Sequence, residues 1–123
     1  MKVLTIKQPW ASLIVNGYKK YEFRTWKTNY RGKILIHAGL SLEKKYVDKF
    51  LDYDIDLPLG AIIGEAEIVD CILVDESFDK ELRMIDSCIY GNNHVGCYAF
   101  KLDNVKIYEE MIPIKGKLGL WNY

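Results

Sequence analysis

Apolar and polar positions alternate with period two over several stretches of this chain, and recur every three to four residues over fewer. Residues 3–7 (Val-Leu-Thr-Ile-Lys) read as a short strand. Pro9 suits the first turn of a helix, where its missing N–H would be unpaired anyway. Trp10, Leu13 and Ile14 then form one apolar helical stripe, and Asn16-Gly17 predicts its end. Residues 20–25 are extended, so that Glu22 and Arg24 share one face and Tyr21 and Phe23 the other. Arg31-Gly32 is a turn, and 33–38 (Lys-Ile-Leu-Ile-His-Ala) a strand with Lys33, Leu35 and His37 on one side.

The second half repeats the mixture. Ser41 is a candidate N-cap for a helix over about 42–52, with Leu42, Tyr46, Val47, Phe50 and Leu51 as its stripe. Residues 61–74 are β-rich, but the inward parity slips after Ile68 and Gly64 lies inside, which predicts a bulge in a curling sheet. A helix over 78–89 would bury Phe78, Leu82, Ile85 and Ile89. Residues 95–102 and 105–112 read as a hairpin about Asp103-Asn104. The Gly-rich end, 116–121, predicts a tight turn that packs Leu118 and Trp121 down. Some six strands with helices between them make an α+β domain, a small curled sheet or barrel.

Composition narrows this to one domain. The chain has 123 residues, half of them hydrophobic, enough for a real core and no linker or repeat. No apolar run approaches the roughly 20 residues of a membrane span, and the N-terminus has no signal-peptide core. Cys71, Cys88 and Cys97 show no CxxC spacing and the two histidines are far apart, so no metal site is expected. Reduced core thiols in a cytoplasmic protein are the expectation.

Charge changes the picture more. Seventeen bases balance seventeen acids, yet residues 1–33 hold eight bases and one acid, Glu22. The opposite excess lies in residues 34–123. Such asymmetry points to a polyanionic partner.

The run Leu4-Thr-Ile-Lys-Gln-Pro-Trp-Ala-Ser-Leu-Ile-Val-Asn-Gly17, followed by Lys19, Glu22 and Arg24 in GxKxxExR spacing, resembles the activating-signal-cointegrator homology (ASCH) family. Trp26, Tyr30-Arg31-Gly32, Ile34-Leu-Ile-His37-Ala and the GxLGLW ending at Trp121 continue the resemblance nearly end to end. It implies a single ASCH domain over 1–123 with a PUA-like fold: a small β-barrel of about six strands with two to three flanking helices. It also implies binding of RNA or DNA in a cleft between the first helix and the barrel. No cofactor is expected.

The residues can be read against that expectation. Lys19 can reach a phosphate from the helix-to-strand turn, and Arg24 offers a planar fork for phosphate or a base edge. Glu22 can hold Arg24 or accept from a base amino group. Gln8, Trp10, Trp26 and Tyr30 supply amide and aromatic partners, with Trp26 the stacking residue and Trp10 an anchor for the helix. Lys27, Arg31 and Lys33 are assigned to backbone phosphates, and His37 to a base edge or a proton shuttle. Lys115 and Lys117 are candidates for the same rim, whereas His94 is left in a loop without a role.

RNA or single-stranded nucleic acid is therefore the expected partner, with DNA a second possibility. One branch of the family hydrolyses N4-acetylcytidine with the motif Lys and a Thr three residues later. Here that Thr position is Glu22, which argues against the same chemistry, although Lys19 and Glu22 can still assist hydrolysis through water. A small hydrolase or ribonuclease, and a protein-interaction module in transcription or RNA metabolism, are the alternatives.

Overall fold

A computed structural model describes all residues, Met1–Tyr123. Six strands are laid down in the order β1 (Lys2–Gln8), β2 (Tyr21–Arg24), β3 (Gly32–Leu42), β4 (Ala61–Leu73), β5 (Tyr98–Pro113) and β6 (Leu120–Asn122). Helix α1 (Trp10–Val15) follows β1. The short α2 (Lys44–Val47) and a 3-10 turn at Asp48–Phe50 follow β3, and α3 (Glu76–Ile85) and α4 (Ser87–Tyr90) lie between β4 and β5. The architecture is α+β, as the alternation predicts.

The strands form one sheet in the spatial order β2-β5-β4-β3-β1-β6. β1 and β3 are parallel; all other neighbours are antiparallel. The sheet curls but does not close, so β2 and β6 remain its edges. One side chain crosses the gap: the Arg24 guanidinium of β2 donates to the Thr5 carbonyl of β1 at 2.8 Å. β6 is short and pairs only with Lys2, Val3 and Leu4, so the second half of β1 is left to face this seam.

The curl has a visible cause in β4. Its register against β3 and β5 slips around Ile63, and twice more against β5 near Ala66 and Val69. Each slip adds twist and bend, as the broken alternation over 61–74 predicts. Inside the curl lie Leu4, Ile6, Ile34, Ile36, Ile63, Ile68, Phe100 and Leu102, closed at one end by Ala11, Ile14 and Val15 of α1. α1 is buried on its other side too, where Leu13 meets Tyr46, Phe50, Leu82, Ile89 and Tyr90. This six-residue helix is therefore held by tertiary packing rather than by propensity.

Five expectations are corrected. The helix expected over 78–89 is two, α3 and α4, broken by the extended backbone of Asp86, and Ile85 is 71% exposed instead of inward. Residues 95–112 make no hairpin: β5 is one continuous strand, because both halves pair with β4 rather than with each other. The Asp103-Asn104 signal is spent on a bulge, with Asn104 at φ 49°. Ser41 lies within β3, which runs to Leu42, instead of capping a helix; the helical segment after it starts at Lys44, with one α-turn and then a 3-10 turn at Asp48–Phe50. Leu118 is 97% exposed, while Trp121 is buried. None of the cysteines is fully buried, and all three are free.

The C-terminal segment is locked by polar contacts. Trp121 Nε1 donates to Thr5 Oγ1 at 3.0 Å, and His37 Nε2 donates to the Ile114 carbonyl at 2.6 Å. Gly116 lies so close that a Cβ there would come within 2.9 Å of the His37 ring and of Thr5 Oγ1. His37, 1% exposed, thus holds the chain end from inside.

Candidate nucleic-acid cleft

At the open seam of the sheet lies a cleft of about 590 Å³. Its floor and walls come from β1 (Thr5, Lys7), the start of α1 (Trp10), the turn into β2 and β2 itself (Lys19, Glu22, Phe23, Arg24). The end of β3 (Gly39, Leu40, Ser41), Glu43, Ile89 of α4, the loop with Asn92, His94 and Cys97, and the segment Lys117–Gly119 complete it. The volume is in the range of small-molecule and single-nucleotide sites.

Lys19, Glu22 and Arg24 form the centre. Glu22 and Arg24 share a strand face by the period of two, and Lys19 is brought in by the turn at Gly17, whose φ of 84° suits glycine. Glu22 Oε1 lies 3.3 Å from Lys19 Nζ, and its Oε2 lies 3.0 Å from Arg24 Nη2. Each carboxylate oxygen is therefore held by a cation. Lys19 also donates to the Tyr21 carbonyl, and its Nζ stands 4.7 Å from the Phe23 ring centroid and 5.6 Å from that of Trp10. Only 3% of Lys19 is exposed. Burial pulls its ammonium below the usual lysine value; Glu22 opposes this and Arg24 adds to it.

His94, like Lys7, Glu43 and Asn92, lines the cleft without having been singled out from the sequence. Its ring stacks on Phe23 with centroids 3.7 Å apart and planes 16° from parallel. Its Nδ1 is buried without a hydrogen-bond partner, 3.9 Å from Asp79 Oδ1. Burial, and next the Lys19 charge, hold this imidazole below its ordinary value, against the pull of Asp79. No periodicity marks a loop histidine, so only the packing of 91–97 against β2 reveals it.

The structure brings some candidate residues to the cleft and leaves others away from it. Trp10, assigned an anchoring role, does pack against Tyr46 and Phe50, yet it also lines the cleft. Trp26, assigned the stacking role, is packed edge-on against Phe100 and does not line it. Gln8 is fully buried: its amide bonds Ser12 and the Pro58 carbonyl, which ties α1 to a loop. Tyr30 donates to the Lys33 carbonyl, and Arg31 to the Thr28 and Tyr30 carbonyls. Arg31 also stands 3.7 Å from Asp70. Lys33 pairs with Glu65 at 2.9 Å, which holds that carboxyl below its usual range.

Lys27 is exposed outside the cleft. Of the eight bases in residues 1–33, only Lys7, Lys19 and Arg24 reach the cleft, and Lys117 joins them from the other end of the chain. No group of three His, Cys, Asp or Glu side chains is placed to hold a metal ion. No helix is long and apolar enough to cross a membrane.

Activating signal cointegrator 1 of Homo sapiens is 28% identical over 130 aligned positions, covering 96% of this chain and 21% of that protein. The Mus musculus protein of the same name gives the same figures. The chain thus spans about a fifth of the length of the curated relatives it matches. The ASCH domain matches residues 4–117, from the first strand to the rim lysine at Lys117, and the chain belongs to the ASCH domain family.

Proposed function

We propose that this protein binds RNA or another single-stranded nucleic acid in the seam cleft. The observation that carries this reading is the meeting of four basic side chains with Trp10 and the Phe23–His94 stack in one cleft. Phosphates supply counter-charge to Lys7, Lys117 and Arg24, while unpaired bases stack on aromatic faces for roughly 1–3 kcal/mol each. The cleft is narrow and local, and the rest of the early basic residues are paired or dispersed. It therefore suits a splayed single strand better than the regular surface of a duplex. Membership in a family associated with nucleic-acid binding supports the same reading.

Hydrolysis has less support. Lys19 is buried and Glu22 has a cation on each oxygen, so neither is free to activate a water as the pair stands.

The test is a titration of a labelled single-stranded RNA at two salt concentrations. Lys7→Ala combined with Lys117→Ala is expected to weaken binding about tenfold or more and to lower the salt slope by about 1.4, roughly 0.7 for each lost phosphate contact on a single strand. Both residues are exposed at the rim, so the fold should be untouched. Binding that is absent at low salt, or a double variant with an unchanged slope, would reject the site.

A further inference from the structure

The cleft has two chemically different ends. At one, Arg24 reaches the Thr5 carbonyl, Thr5 accepts from Trp121, and Lys117 Nζ stands 5.8 Å from the centre of the Trp121 ring. Lys7 lies on the same face of β1 as Thr5. This end is basic. At the other end, Trp10 donates from Nε1 to Glu43 Oε1 at 3.3 Å, and Asn92 is held by the Tyr46 hydroxyl. Tyr46 in turn packs on Trp10 with centroids 5.1 Å apart. Phe23 and His94 border the same end.

A carboxylate in a cleft for a polyanion is unfavourable unless it meets a cation or a donor from the ligand. Glu22 has its cations, Lys19 and Arg24, and cannot turn to a ligand without losing one. Glu43 has none. Its Oε1 is fixed by the indole, its backbone N–H donates to the Gln8 carbonyl at 2.8 Å, and it forms no ion pair. It is an anchored acceptor with an open oxygen, standing beside aromatic rings.

We infer that Glu43 selects the base: it accepts from the exocyclic amino group of a nucleobase whose phosphate lies at the Lys7–Arg24–Lys117 end. This rests on the nucleic-acid reading above. Cytosine and adenine offer that amino donor, and carboxylates are known to accept from it. Uracil presents a carbonyl oxygen at the corresponding position, and acceptor against acceptor leaves both groups unpaired.

The experiment measures binding of labelled oligo(rC), oligo(rA) and oligo(rU) of equal length by fluorescence anisotropy at low salt. The wild type is expected to prefer the cytosine and adenine strands by about tenfold over uracil. Glu43→Gln keeps an oxygen for Trp10 Nε1 and turns an amide N–H₂ toward the base. It should cancel that preference or reverse it toward uracil, with the salt slope unchanged. A wild type that binds all three strands equally, or a Glu43→Gln variant with the wild-type order, overturns the inference while leaving the nucleic-acid reading in place. Failure of all three strands to bind removes both.

Discussion

Exchanging Glu22 for Gln should destabilise the domain by about 3 kcal/mol at pH 7, the cost of leaving a buried cation without its partner. Lys19 is buried between Trp10, Phe23 and Tyr90, and Glu22 is its one counter-charge. The loss should depend on pH. Burial sets the folded Lys19 below the ordinary lysine value of 10.5, and Glu22 pulls it back up. Between the folded value and 10.5 the unfolded chain holds a proton that the native chain has released. The stability contributed by Lys19 therefore rises with pH through that window. Without Glu22 the folded value falls further, so the destabilisation should be largest near neutrality and shrink toward pH 10. Urea unfolding at both pH values measures it. Lys19→Met in the Glu22→Gln background should restore most of the loss, because it removes the stranded charge and keeps an unbranched stem among the rings. A Glu22→Gln loss under about 0.5 kcal/mol, or no rescue, would show that Lys19 does not depend on this pair.

Gly64→Ala should cost a similar amount, about 3 kcal/mol, for a purely steric reason. A Cβ on Gly64 would stand 2.5 Å from the Lys106 carbonyl oxygen of β5 and 2.8 Å from Val15 Cγ1 of α1. Neither neighbour is the tip of a flexible side chain. Relief requires β5 or α1 to move, and α1 carries Trp10 into the cleft. Oligonucleotide binding should therefore weaken along with stability. Gly17→Ala makes the contrast: nothing lies within 4 Å of its Cβ, and only its φ of 84° resists, for about 1 kcal/mol. Equal losses at the two positions in thermal unfolding would contradict the close approach at Gly64.

Much of the fold was legible because strand periodicity is local. The runs 33–38 and 61–74 read as strands wherever they are placed, and the parity slip after Ile68, with Gly64 inside the run, predicts a bulge without knowledge of any partner strand. The hairpin about Asp103-Asn104 failed for the complementary reason. A turn signal between two β-rich runs also fits a bulge in one long strand, and only the pairing with β4 separates the two. Leu118 failed likewise: its apolar side chain suggested burial, but Trp121 fills the seat next to Thr5 and leaves Leu118 at the cleft rim.

The cleft divides along the same line. Lys19, Glu22 and Arg24 lie within six residues, so a turn and a strand of period two suffice to gather them, and the sequence alone determined their meeting. It also determined that the early residues carry an excess of positive charge. What that charge surrounds was decided by the tertiary structure. The open sheet brings β1 against β2, and the loop 91–97 and the segment 117–119 close over the seam. Thus His94, Asn92 and Lys117 arrive from far along the chain, while Trp26, Lys27 and Arg31, close in sequence to the motif, are carried away. Side-chain alternation fixes which face a residue occupies, but the site is made where distant segments converge, and convergence is set by how the whole sheet curls.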